Sequence, residues 1–149
     1  MTIFMNIDIR TAEPANQHQV AVLLQHVNLP TDDLPTGLPG FVLAFDGDRL
    51  VGSAGVESYD RVGLLRSVAV DPDYRDHKLG RRLVDAVLEN ARQQGIREAY
   101  LITTTADQYF ERYGFTCVER STVPTPVATT QQFSQLCPAS AVVMKKSLV

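Results

Sequence analysis

The chain reads as an α/β (α+β) fold: a mixed central sheet, antiparallel through its N-terminal part and parallel through a later crossover, flanked by helices. Three observations predict it. Two strand-like runs surround Asp46-Gly47-Asp48, and a third, "VGLLRSVAV", follows at once, which is the pattern of an antiparallel meander. Leu79, Leu83, Val84, Val87, Leu88 and Ala91 then form one helical stripe between "VGLLRSVAV" and the strand-like "REAYLI", and a strand, helix and strand in that order make a parallel crossover unit. The length of 149 residues and hydrophobic content of 44% suit one domain, 1–149, with a core that needs neither disulfide nor metal.

Taken in order, Ile7 to Ile9 alternate apolar and polar and predict a strand. "TAEPANQHQVAVLLQHV" places Val20, Leu23, Leu24 and Val27 at helical spacing behind an acidic, Pro-bearing start. "LPTDDLPTGLPG" is rich in chain-punctuating residues and reads as a loop with room for one short helical turn. The meander comes next, and the helix beginning at Leu79 is expected to end at Gly95. After "REAYLI" the chain predicts a short helix over "TADQYFERY", a strand over "FTCVER", and a Thr/Pro/Val-rich connection. A helix over "ATTQQFSQL" and a closing strand over "SAVVMKKSL" complete it.

A net charge of -3 and a pI near 5.5 argue against nucleic acid or an anionic membrane as partner, since both select broad basic faces. Asn6, Asp8 and Arg10 interrupt the start where a signal peptide needs an apolar core, and no later run is long enough to span a bilayer, so a cytoplasmic location is expected. Cys117 and Cys137 show no ligand spacing and read as buried reduced thiols, while His18 and His26 lack acidic partners and read as surface residues; no metal site is predicted.

Positive charge is concentrated in one turn, "DPDYRDHKLGRR", at the start of a helix. Unpaired N–H groups and the positive end of the helix dipole suit such a place to a phosphate. Neither GxxxxGK nor GxGxxG is present, which excludes the common nucleotide loops, and on charge alone a solvated first helical turn explains the residues equally well.

The neighbouring residues favour the phosphate. "LLRSVAVDPDYRDHKLGRRLVDAVL" resembles the acetyl-coenzyme A signature of the Gcn5-related N-acetyltransferase (GNAT) superfamily: a strand, a Pro, Arg75, two residues, Lys78 in place of the usual middle glycine, and Gly80 at a helix start. "GFVLAFDGDRLVGSAGVE" is similar to the family's central hairpin and "YFERYGF" to its late helix-to-strand junction. With "YLITTTADQYFERYGF" and "FSQLCPASAVVMKKSL", the chain from Phe41 onward resembles the arsenic-resistance-associated and amino-acid N-acetyltransferases.

The resemblance implies acetyl-CoA as cosubstrate, a small-molecule amine as acceptor, and compatibility with a homodimer. It places the backbone of Val68 and Val70 along the pantetheine arm, with an N–H near Val68 polarising the thioester carbonyl. It places Arg75 and the N–H groups of His77, Lys78, Leu79, Gly80 and Arg81 at the pyrophosphate. An alkyl amine with a pKa of about 10.4 must lose a proton at a cost of about 4 kcal/mol at neutral pH, and Glu57 is the acid this layout offers as base, acting through water. Its alternative is an ordinary strand-end charge.

Arg66 suits an acceptor carboxylate, or else pairs internally with an acid such as Glu57. Thr104, within Thr103 to Thr105, lines the acceptor site or belongs to a helix cap. Many relatives place a Tyr general acid four residues before the Gly of the Gly-Phe pair; that position is Phe110, and Tyr109 beside it points about 100° away on a helix. The function implied is acetyl transfer to glutamate or a toxic analogue of it. A catalytically weak binding or regulatory module, which Lys78 and Phe110 keep in view, and a protein or peptide N-acetyltransferase are the alternatives.

Overall fold

The computed structural model describes residues 7–104, 106–130, 133 and 141–149, and of residues 76 and 77 the backbone. The strands are β1 (Ile7–Thr11), β2 (Phe41–Asp46), β3 (Arg49–Tyr59), β4 (Val62–Val70), β5 (Glu98–Thr103), β6 (Thr116–Val118) and β7 (Val142–Ser147). The α-helices are α1 (Gln17–His26), α2 (Leu79–Gln93), α3 (Asp107–Glu111) and α4 (Thr125–Ala128). One seven-stranded sheet has the order β1-β2-β3-β4-β5-β7-β6. As expected of the crossover, β4 and β5 run parallel, with Val62 opposite Glu98 and Leu64 opposite Tyr100.

Two compact units divide the chain, Met1–Gly55 with Ser67–Val87 and Val56–Arg66 with Leu88–Val149. In the first, β2 and β3 join through Gly47 and Asp48, and Gly47 takes φ +61°, the left-handed conformation that lets a two-residue loop follow the strands' twist. Val20, Leu23 and Leu24 of α1 bury themselves against Leu38, Phe41, Leu43, Phe45 and Ala69, which is what their helical spacing predicts. The loop before β2 forms successive turns, Leu34 N–H to Thr31 and Leu38 N–H to Pro35, in place of the helical turn for which it had room. Gln17 pins it to α1, accepting from the Gly37 N–H at 2.9 Å and donating to the Pro35 carbonyl at 3.2 Å.

The stripe on α2 is buried at every one of its six positions. Gly52 allows the close approach: a Cβ there would lie 2.6 Å from Leu83 Cδ1. Gly95, at φ +96°, ends the helix as expected, donating to Arg92 while the Ile96 N–H reaches back to Ala91.

In the second unit Leu64, Tyr100, Val123, Val127, Phe133 and Val143 form a core of their own. Two expectations need correction. The connection after β6 carries a helical turn, α4, because Pro126 sits in its first turn where its missing N–H costs nothing; of the "ATTQQFSQL" segment, Ala128 closes α4 and Phe133 is helical as expected, while positions 131, 132 and 134–136 lie outside the described residues. Cys117 is an exposed free thiol, because β6 is a three-residue strand at the sheet edge with little to cover it; Cys137 lies outside the described residues.

Candidate active site

β4 carries an irregularity that its sequence does not announce. Ser67 adopts φ +56°, a left-handed conformation that costs a non-glycine residue about 1–3 kcal/mol. The hydroxyl of the fully buried Ser53 donates to the Ser67 carbonyl at 2.7 Å and holds the kink in place. Beyond it the strand continues through half-buried Val68, buried Ala69 and half-buried Val70. A kinked residue re-aims the backbone that follows, so these residues leave the regular ladder direction.

The chain then makes a 3-10 turn, Pro72–His77, whose start is capped by Asp71, the carboxylate accepting the Asp73 N–H at 2.9 Å. Lys78 links this turn to α2 at φ +54°. Glycine adopts that conformation at no steric cost, which is the physical reason a glycine is usual at this place in the signature. Leu79 and Gly80, the first residues of the 15-residue α2, are buried, whereas Arg75, Lys78 and Arg81 are exposed. Arg75 Nε donates to the Val70 carbonyl at 3.3 Å, and Arg81 stands 3.8 Å from Asp85, a solvated pair that restrains it weakly. Helix-start N–H groups that have no carbonyl four residues earlier within the helix, in a segment whose Arg75, Lys78, Arg81 and Arg82 are exposed, are a donor set suited to a pyrophosphate. The His77 backbone ends the 3-10 turn immediately before Lys78.

The structure brings Glu57 and Arg66 together. Arg66 Nη1 donates to Glu57 Oε1 at 2.6 Å, with the Arg66 side chain 1% exposed and that of Glu57 16% exposed. The hydroxyl of Tyr59 donates to the second oxygen, Oε2, at 2.5 Å. Both carboxylate oxygens are therefore engaged, and Glu57 is no ordinary exposed strand-end charge. Tyr59 was not picked out from the sequence, although a signal existed: two residues after Glu57 on one strand, it shares the same face.

Thr103 Oγ1 accepts the Ala106 N–H at 2.9 Å and so closes the turn before α3, but the N-cap position is Ala106 and makes no side-chain cap bond, so among the described residues no Thr caps the helix in the way the sequence suggested. Thr104 is exposed, and Thr105 lies outside the described residues. Phe110 is buried and packs edge-to-face on Phe115 with centroids 5.9 Å apart. Tyr109 packs edge-to-face on Tyr113 at 4.9 Å and on Phe110 at 5.1 Å; burial, and after it the hydroxyl of Tyr113, push its phenol well above the ordinary value, so it stays protonated. His18 and His26 are exposed, and among the described residues no group of His, Cys, Asp and Glu side chains could hold a metal ion.

Comparison with known proteins agrees with this geometry. The model of the acetyltransferase (GNAT) family matches residues 6–115. A mycothiol acetyltransferase of Geodermatophilus obscurus is 40% identical over 88 residues, which are 52% of this chain and 29% of that protein. An amino-acid acetyltransferase of Salmonella typhi is 37% identical over 65 residues, 44% of this chain and 15% of that one. The chain thus spans less than a third of the length of either relative. N-acetylglutamate synthase from Neisseria gonorrhoeae, solved with coenzyme A and N-acetyl-glutamate, superimposes with a TM-score of 0.82 over 100% of this chain and 36% of its own at 19% identity, a likeness of fold. With its sheet order, its left-handed turn before α2 and a family model covering most of its length, this chain belongs to the GNAT acetyltransferase family.

Proposed function

We propose that the protein moves an acetyl group from acetyl-CoA to the amine of a small, amino-acid-like acceptor. The observation that carries this reading is the kinked β4 leading through left-handed Lys78 into the buried start of α2, with Arg75, Lys78 and Arg81 exposed around it. Acetyl-CoA supplies the acetyl group as a thioester. Backbone N–H groups from His77 to Arg81 hold the pyrophosphate, Val68 and Val70 accompany the pantetheine arm, and the N–H near Val68 stabilises charge developing on the thioester oxygen. Glu57 takes the proton from the acceptor amine through water. Without a tyrosine at position 110, solvent protonates the departing thiolate, a comparatively good leaving group with a pKa of about 8.5.

Acceptor class rests on the relatives named amino-acid acetyltransferases, and it makes glutamate and its toxic analogues the first acceptors to try. Arg66 was assigned to an acceptor carboxylate or to an internal pair. Its guanidinium already serves Glu57, so in this reading it aims the base, and an acceptor carboxylate at this place would have to share the fork. Thr104, exposed at the end of β5, is the hydroxyl proposed for the acceptor.

The test is thiol release from acetyl-CoA with a panel of amino acids, their amides, and phosphinate and arsenical analogues. Turnover on free amino acids is expected. Turnover on peptide N-termini alone would favour a peptide acetyltransferase, and calorimetric CoA binding with no turnover on any amine would favour a binding module.

A further inference from the structure

We propose that Arg49 and Tyr74 are positioning residues for the cofactor: they latch the pyrophosphate turn to the end of the β2–β3 hairpin and neutralise the carboxylates gathered there. The proposal rests on the reading of that turn as the acetyl-CoA site.

Asp46 and Arg49 face each other across the two-residue hairpin loop, the last residue of β2 opposite the first of β3. Both hold the turn, Arg49 through Asp71 and Asp73 and Asp46 through Tyr74. Arg49 Nη2 reaches Asp71 Oδ2 at 2.9 Å and Asp73 Oδ2 at 3.4 Å. The hydroxyl of Tyr74 donates to Asp46 Oδ2 at 2.6 Å. The two halves also touch, because the Arg49 guanidinium lies 5.3 Å over the ring of Tyr74, which is only 6% exposed. Backbone bonds continue the arrangement: the Asp71 N–H donates to Val51 and the Tyr74 N–H to Asp71, each at 2.8 Å.

Charge gives the latch a second task. Asp46, Asp71 and Asp73 bring three carboxylates to the approach of a turn that is to receive a pyrophosphate, and Arg49 is the cation placed among them. Burial opposes ionisation of Asp71, but the Asp73 N–H and the Arg49 guanidinium outweigh it and hold the carboxyl below its ordinary value. Tyr74 shifts the other way, held protonated chiefly by its bond to Asp46. Removing Arg49 therefore both loosens the turn and leaves uncompensated negative charge beside the segment proposed to receive an anionic cosubstrate.

Steady-state kinetics on the whole protein tests this, with Arg49→Ala, Arg49→Lys, Tyr74→Phe and, as reference, Gly80→Glu. Arg49→Ala is expected to raise the KM for acetyl-CoA about fivefold, the equivalent of one partly exposed ion pair, with kcat at saturating acetyl-CoA and the KM for the amine unchanged. The rise should shrink as salt is added, because the unpaired carboxylates are then screened, and Lys should restore part of the affinity. Tyr74→Phe, which keeps the ring, should raise the same KM by about threefold and stands in if Arg49→Ala does not fold. Wild-type KM in folded Arg49→Ala and Tyr74→Phe, while Gly80→Glu loses acetyl-CoA binding, would overturn the latch alone. Wild-type binding by Gly80→Glu would overturn the cofactor turn and the latch with it.

Discussion

The turn from Asp71 to Arg81 leaves Arg75, Lys78 and Arg81 in solvent, whereas Glu57 and Arg66 shield their charges from it and satisfy each other. The same residue types do different work under the two arrangements. An exposed cation on a long side chain keeps its water on folding and can close on an anion that arrives, but it contributes little to the fold. A buried pair has already lost its water, so each member depends on its partner and the geometry is held without a ligand. In the function proposed above, the turn captures the cosubstrate and the Glu57 cluster places the base.

Breaking the cluster should cost most. Glu57→Gln keeps the shape and the Tyr59 and Arg66 neighbours but removes the base, so turnover should fall by about 10²- to 10⁴-fold, with circular dichroism and CoA binding unchanged. Arg66→Ala leaves Glu57 without its cation; unfolding by urea should show a loss of about 3 kcal/mol, and activity on an amino acid and on its amide should fall together. A loss confined to the acid would instead assign Arg66 to the acceptor carboxylate.

Changes at the turn sharpen the contrast from the other side. Gly52→Ala drives a methyl into Leu83, so α2 must shift, and a stability loss of about 1–3 kcal/mol is expected, with weaker CoA binding by calorimetry. Lys78→Gly relieves the left-handed strain and should stabilise the fold by about 1 kcal/mol, read as a rise of about 3 °C in Tm, while CoA affinity is kept or improved. The smallest effect is expected of Tyr109→Phe, which should retain most transfer activity because the hydroxyl lost is engaged with Tyr113 rather than standing at position 110.

How much of this was legible in the sequence follows from how local each cause is. The stripe on α2, the stop at Gly95, the Gly47 hairpin and the crossover are written in periodicity and in glycines, so they could be read directly. The basic turn was legible as a motif and as charge. The kink at Ser67 was not, because serine carries no preference for positive φ and the cause lies fourteen residues away in Ser53. Arg49 and Tyr74 went unread for the same reason: their partners are 22 and 28 residues distant. Arg66 was read as either a carboxylate fork or half of an ion pair with an acid such as Glu57, and the 2.6 Å contact, made between residues nine apart, is visible only once the chain is folded. Cys117 was misplaced because burial statistics for cysteine say nothing of a strand being three residues long and at an edge.

In the proposed function the turn sets acetyl-CoA affinity and Glu57 sets the rate of transfer. The most direct test is a paired measurement of kcat and of the KM for acetyl-CoA in Gly80→Glu and Glu57→Gln, with one amino-acid acceptor held at saturation. The account predicts that Gly80→Glu raises the KM severely and retains kcat once acetyl-CoA is saturating, while Glu57→Gln lowers kcat and leaves the KM in place. A Glu57→Gln variant with wild-type kcat, or a Gly80→Glu variant with wild-type KM, would contradict it.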